Sequence, residues 1–332
     1  MATLRGMSER VDVVGVGGIG TSGLAAVLTQ AGAVVTGSED SRTILAGELL
    51  ERFPQIRVYD GYSASRLDGV DRVIHTVAAG PDNPELAEAR RRGVPVFTYP
   101  QALGLFLNGT DVCGVAGTHG KTTTTAMIAS AFEQAGLPVS YLVGAPLQGS
   151  RGNARYTAGS PFVLEADEYR GAFMEYAHRF AQLVITNIDF DHPDYYPSQD
   201  AVEKAFGELL AHTPAAAQVF ACGDSAGVRA VGRVHDRIIT YGFGASNAVR
   251  DRVTAATEAG SRFSVTGGPD GEVALRVTLP GRHNVLNATA AYLAAQQMGC
   301  PRPGYHRGAG QLCRGAAQVR CAAEHAAGRR GR

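Results

Sequence analysis

An α/β chain of two consecutive parallel-sheet domains is predicted by three observations. Apolar, β-prone runs alternate with helix-compatible stretches along most of the 332 residues. The first of these runs leads into the glycine-rich turn Gly15-Val16-Gly17-Gly18-Ile19-Gly20. A later one leads into Gly117-Thr118-His119-Gly120-Lys121-Thr122-Thr123. A glycine-rich turn between a strand and a helix is the usual seat of a phosphate, because bare amides and the helix N-terminus attract anions. The length suffices for two domains, each with its own core.

The first domain, residues 1–108, reads as Rossmann-like. A buried-strand pattern at 11–16 precedes the glycine turn and an amphipathic helix to about residue 31, and a second strand at 34–37 closes a β-α-β unit. A strand at 73–76, a helix at 85–92 and a strand at 94–97 continue it. The second domain, residues 109–300, is P-loop-containing and ATPase-like. It opens near Asp111 and carries the phosphate loop and a helix over 125–135. Strands follow at 162–164 and 183–188, with a helix at 199–211. Alternating stretches at 252–266 and 272–279 predict an antiparallel appendage, and 284–298 a closing helix.

Composition excludes several function classes. With 31 basic and 31 acidic residues the formal charge is zero, so neither nucleic acid nor an anionic membrane is called for. No apolar run reaches membrane-spanning length, and residues 1–10 lack a signal-peptide core. Cys113, Cys222, Cys300, Cys313 and Cys321 show no metal-ligand spacing and read as thiols of a reducing cytosol. A soluble cytoplasmic protein is expected.

The second loop carries the more specific chemistry. Its glycines let N–H groups crowd onto phosphate oxygens, Lys121 reaches the β/γ-phosphates, and the Thr122 hydroxyl is placed to ligate Mg²⁺. The general pattern wants glycine five residues before Gly120, where Val115 stands, so this is a shorter G-T-H-G-K-T form. Glu165-Ala166-Asp167-Glu168-Tyr169 follows the strand at 162–164, where a Mg²⁺·ATP site needs hard oxygen ligands. Thr186-Asn187-Ile188-Asp189-Phe190-Asp191-His192 ends the next strand, and Gly281-Arg282-His283-Asn284 precedes the closing helix. Asn284 reads either as a contact to a base edge or as a plain helix cap. The first turn leaves two ligands open. A dinucleotide would use Glu39 or Asp40 on its ribose. A UDP-sugar would place its diphosphate on Gly17, Gly18 and Ile19, with Ser22 and Ser38 hydrogen-bonding, unless those serines merely cap helices. Asp82-Asn83-Pro84-Glu85 reads as a turn and helix start.

Taken together, these motifs resemble the Mur ligases, ATP-dependent enzymes that build the peptidoglycan stem peptide by forming amide bonds. The likeness runs from about residue 11 to about 299 and is greatest to the alanine-adding branch. It implies a UDP-sugar rather than NAD at the first turn, and ATP on Gly117, Thr118, His119, Gly120, Lys121, Thr122 and Thr123. It makes Glu168 a Mg²⁺ ligand supported by Glu165, His192 the ligand of a second Mg²⁺, and Asn284 an adenine contact. Lys121, Glu168 and His192 become the catalytic set. Asn153-Ala154-Arg155 and the spacing of Lys204 also match the alanine-adding branch. After Phe97 the family usually carries an arginine and an acid, where this chain has uncharged residues. The implied reaction phosphorylates the lactyl carboxylate of UDP-N-acetylmuramate and lets L-alanine attack the acyl phosphate. The tripeptide-recycling ligase of the same family and a non-catalytic nucleotide-binding remnant are the alternatives.

Residues 301–332 change character, with seven arginines and the single acid Glu324. They read as a basic tail or as a frameshifted linker. Back-translated with GC-rich codons and shifted by one base, residues 311–321 can give S-F-A-G-A-R-R-R-F-D, which is similar to the linker into the family's third domain. Without that domain, the resemblance implies binding with little or no turnover, because the amine would not be positioned.

Overall fold

The computed structural model describes residues 9–40, 44–147, 152–232, 235–268, 271–301 and 317–319. The chain forms two compact units, one running to Thr110 and including Ser140–Gly159, the other comprising Asp111–Val139 and the chain from Ser160.

In the first unit five strands, β1 (Arg10–Val14), β2 (Val34–Glu39), β3 (Arg57–Asp60), β4 (Arg72–His75) and β5 (Val96–Thr98), form a sheet ordered β3-β2-β1-β4-β5. Every pairing is parallel. The connecting helices are α1 (Ile19–Gln30), α2 (Ile44–Arg52) and α3 (Pro84–Arg92), with α4 (Tyr99–Phe106) after β5. Central β1 is buried from Val11 to Val14, as a strand covered on both faces must be. Strand order reverses between β1 and β4, so the crevice at the C-terminal end of β1 is where such a sheet takes a ligand. The predicted strand at 11–16 ends two residues early because Gly15 turns left-handed at φ 75°. A Cβ there would stand 2.4 Å from Thr76 Cγ2, so the position needs glycine. The uncharged stretch after Phe97 serves α4, where Thr98 and Gln101 form a capping box.

The chain enters the second unit through β6 (Val112–Ala116) and α5 (Lys121–Gln134) and returns to the first for the hairpin β7 (Ser140–Leu147) and β8 (Gly152–Arg155). Back in the second unit come β9 (Phe162–Glu165), β10 (Phe180–Ile185), α6 (Gln199–His212), β11 (Gln218–Cys222), α7 (Ala226–Val231) and β12 (Ile238–Gly242). Then follow β13 (Val249–Thr257), β14 (Gly260–Gly268), β15 (Gly271–Val277) and α8 (Arg282–Gln297). The sheet runs β15-β14-β13-β12-β11-β10-β6-β9, parallel from β12 to β9. The predicted antiparallel appendage is present as β13–β14–β15. Its first alternating stretch is two strands joined at residues 258–259, since the alternation carries through the turn. The backbone of a last strand, β16 (Ala317–Val319), pairs parallel to β15; the rest of the predicted tail after Pro301 lies outside the described residues.

Cys113, Cys222 and Cys300 are buried thiols, raised by burial to about 12, 11 and 11. Cys313 and Cys321 lie outside the described residues. No helix among the described residues is long and apolar enough to cross a membrane.

Candidate active site

The second loop lies between β6, buried along its whole length, and α5, so its anion seat is at the C-terminal edge of a central parallel strand. Gly117 has φ 133°, and a Cβ there would stand 2.1 Å from Thr186 Oγ1. Gly120, at φ 85°, caps α5, and its Cβ would fall 2.5 Å from Asn287 Oδ1. The loop is braced by the residues after β10. Thr118 N donates to Asn187 O (3.1 Å), His119 N to Asn187 Oδ1 (2.9 Å), and Thr186 Oγ1 to His119 O (2.6 Å). Thr118 Oγ1 donates to Asp189 O and accepts from Asp189 N. Thr186, Asn187 and the Thr118 hydroxyl thus shape the loop, a role that sequence reasoning missed. The signal was the polar Thr-Asn pair directly after an apolar strand.

Lys121 folds back over this loop. Its Nζ donates to Gly117 O at 2.7 Å and to Glu168 Oε1 at 2.9 Å, and lies 2.8 Å from Glu168 Oε2. Thr122 Oγ1 donates to Glu165 Oε1 at 2.9 Å. Glu168 is 2 % exposed, and burial pushes its carboxyl up against the opposing pull of Lys121. His192 Nε2 stands 3.4 Å from Glu168 Oε1, and ligand atoms of Asp167, Glu168 and His192 all fall within 4.8 Å of one another. Glu168 Oε2 is buried against the Lys121 ammonium, 2.8 Å away. A buried carboxylate beside an imidazole and a second carboxylate, with their ligand atoms this close together, fits a hard divalent cation. Lys121, Thr122, Glu165, Glu168 and His192 are therefore brought together as expected from their motifs.

The two segments carrying Glu168 and His192 are bent backwards. Arg170 and His192 both have φ 53°, the only positive values outside glycine among the described residues. Each costs on the order of 1 kcal/mol, strain that folds retain mostly at functional sites. It is held by Tyr196, whose N–H donates to His192 O and whose hydroxyl donates to Glu168 O at 2.6 Å. The Tyr169 ring lies 5.0 Å from the His192 imidazole.

Asn284 is not the cap of α8. Gly281 holds that position, and Asn284, 8 % exposed, donates to Pro280 O at 2.7 Å. The alternative of a simple cap is thereby corrected. Asn287 Nδ2 lies 3.4 Å from Asn284 Oδ1, and Asn287 is the amide of α8 that comes up against Gly120 of the phosphate loop. Lys204 stays on the exposed face of α6, 3.9 Å from Glu208.

In the first unit the glycine turn is clipped shut by Thr21, whose Oγ1 donates to Gly15 O at 2.6 Å. Gly17 N donates to Glu39 Oε2 at 2.7 Å, an acid sitting on an anion-seeking amide. Gly18 caps α1, and Ile19 is 38 % exposed at its start. The two serines cap nothing, which corrects that reading of them. Ser22 lies within α1 with its hydroxyl on Ile19 O, and Ser38 is fully buried in β2 with its hydroxyl on Glu85. Asn153 fixes the β7–β8 hairpin of this unit by donating to Ile19 O at 2.7 Å.

Comparison with known proteins matches residues 115–295 to the Mur ligase middle domain and residues 10–110 to the Mur ligase family catalytic domain. The UDP-N-acetylmuramate–L-alanine ligase of Mycolicibacterium paratuberculosis is 39 % identical over 88 % of this chain and 62 % of its own length. That of Mycobacterium leprae is 38 % identical over 88 % of this chain and 61 % of its own length. The chain thus spans less than two thirds of these relatives. Among solved structures, the UDP-N-acetylmuramate-alanine ligase of Thermotoga maritima superposes with TM-score 0.73 at 29 % identity, over 87 % of this chain and 65 % of that one. The UDP-N-acetylmuramate:L-alanyl-gamma-D-glutamyl-meso-diaminopimelate ligase of Neisseria meningitides gives 0.74 at 27 %, over 88 % and 94 %.

Proposed function

This chain belongs to the Mur ligase family, and from that premise we propose that its second unit binds Mg²⁺·ATP and its first a UDP-sugar, in a ligase of the UDP-N-acetylmuramate–L-alanine type. The observation that carries the reading is Lys121, placed between the carbonyls of a phosphate loop and a buried acid. In this reading the lactyl carboxylate of UDP-N-acetylmuramate attacks the γ-phosphoryl group of ATP and expels ADP, and the amine of L-alanine then displaces phosphate from the acyl phosphate, losing a proton as the amide forms. Lys121 leaves Glu168 for the β/γ-phosphate oxygens and neutralises charge as the phosphoryl group moves. Loop amides and the N-terminus of α5 hold the phosphates in place. Glu168, His192 and the Thr122 hydroxyl would hold Mg²⁺, which supplies charge neutralisation on the transferring group. Asn284 and Asn287, at the loop end of α8, orient the base.

Both the alanine-adding relatives and the Neisseria ligase activate a muramyl substrate by name, so the amine separates them. The test is phosphate release from ATP in the presence of UDP-N-acetylmuramate, with L-alanine or the tripeptide added. Release that rises with L-alanine supports the alanine-adding reading, and a rise only with tripeptide moves the assignment to the recycling branch. No amine dependence at all would leave a binding unit without amide synthesis.

A further inference from the structure

The segment Asp82-Asn83-Pro84-Glu85 reads in sequence as a turn and helix start, and its first part does only that. Asn83 caps α3 by accepting from Glu85 N at 3.0 Å and Leu86 N at 3.2 Å, and Pro84 opens the first turn. Glu85 is different. It is 0 % exposed, where helix starts ordinarily leave their acids in water. Oε2 accepts from Ser38 Oγ, and Oε1 accepts from Ser63 N at 3.0 Å with Arg66 Nη1 at 3.4 Å. Ser38 in turn supports the glycine-rich turn, since its carbonyl accepts from Gly15 N at 2.8 Å and Val16 N at 3.1 Å. Arg66 also donates to Gly61 O and lies 4.6 Å over the Tyr59 ring, tying down the stretch between β3 and β4.

A buried carboxylate is costly unless fully paired, and an apolar residue would pack α3 more cheaply. What the acid supplies is connection. Through Ser38 it reaches the first amides of the turn behind β1, and through Ser63 and Arg66 it reaches the loop that follows β3.

We propose that Glu85 is a positioning residue for the UDP-sugar site. It sets the glycine-rich turn through Ser38, whose hydroxyl braces the site from behind instead of touching the ligand. This rests on the UDP-sugar reading of the first unit. Fixing one rotamer of Ser38 from the side chain holds both the strand end and the two turn amides in one arrangement, as a supporting shell must for a binding turn.

The experiment uses the full chain with Glu85→Gln, Ser38→Ala and the double variant. In the ligand-free protein, hydrogen exchange at Gly15 and Val16 should rise about tenfold in Glu85→Gln and in Ser38→Ala. Affinity for UDP-N-acetylmuramate should fall about tenfold in each, and the double variant should be no weaker than the weaker single, because both cut one chain of contacts. Affinity for Mg²⁺·ATP should stay within about twofold, since no step of this chain enters the second unit. Should Glu85→Gln fail to fold, Ser38→Ala, which removes one hydroxyl, gives the same exchange readout. Unchanged exchange at Gly15 and Val16, additive losses in the double variant, or equal loss of both ligands would each overturn the proposal. A wild-type chain that binds no UDP-sugar would instead overturn the ligand reading, and the exchange result would still decide the role of Glu85.

Discussion

The two glycine-rich turns share a layout and differ in charge. Each follows a buried central strand and opens a helix, so each presents amides at a helix N-terminus. From Gly15 to Ser22 there is no basic residue, and the turn is held by the Thr21 hydroxyl in front and Ser38 behind. From Gly117 to Thr122 the loop carries Lys121, ion-paired to buried Glu168, whose carboxylate lies beside His192 and Asp167. A turn that only holds a diphosphate needs donors in fixed places. A turn at which a phosphoryl group is transferred also needs a movable cation and acids fit for a metal. In the proposed function that difference separates holding from chemistry.

The largest expected effect breaks one turn and spares the other. Lys121→Ala should weaken Mg²⁺·ATP binding by roughly a hundredfold or more, both by removing a phosphate contact and by leaving Glu168 buried without its partner. Affinity for UDP-N-acetylmuramate should not change, and isothermal titration of both ligands reads the two effects together. The mirror experiment is Gly15→Ala. Its φ of 75° and the 2.4 Å approach to Thr76 make any side chain strained. A loss of roughly 1–3 kcal/mol is expected in the first unit by chemical denaturation, with weakened UDP-sugar binding and intact ATP binding.

A smaller effect concerns acids that the two units bury away from their turns. Burial raises Asp12 in β1 to about 6 and Asp251 in β13 to about 7. Each donates nothing and accepts one hydroxyl, from Thr36 and Thr289 respectively, and each leaves Oδ2 unpartnered. A raised folded-state pKa means that the folded chain binds more protons than the unfolded chain between about 4 and the raised value. The stabilisation is complete below about pH 4 and is lost as pH rises through about 6 for Asp12 and about 7 for Asp251. Asp251→Asn should therefore be more stable than wild type at pH 8 by roughly 1–2 kcal/mol, with little gain at pH 5. Urea midpoints across that range check it. An equal gain at both pH values would show that Asp251 carries no extra proton.

Legibility in the sequence followed burial and period. Strands β1, β6, β9 and β10 were readable because they are largely buried and mostly apolar, with few polar residues among them such as Asp12 and Gln182. The edge strand β3, exposed at both ends, offers no such run, and β12 is only half-buried for three of its five residues. The capping box that starts α4 and the cap on α7 are short polar signals that a search for apolar period passes over. At the site, the residue types that carry charge were named from their motifs. The neutral residues that aim them, Thr186, Asn187 and Tyr196, were not, because their work is hydrogen bonding to backbone far away in sequence. Ser38 shows the same limit from the other side. Nothing in the sequence around Ser38 shows that its hydroxyl meets a buried partner, Glu85, forty-seven residues on.

The measurement that tests the central claim most directly is a paired titration of the wild-type chain. Mg²⁺·ATP is titrated alone, then again with UDP-N-acetylmuramate at saturation, and NAD is tried in place of each. Two turns with separate roles predict one ATP site in both titrations, an additional single site for the UDP-sugar, and no displacement of either by NAD. Competition between ATP and the UDP-sugar for one site, or displacement of the UDP-sugar by NAD, would contradict the assignment of holding to the first turn and chemistry to the second.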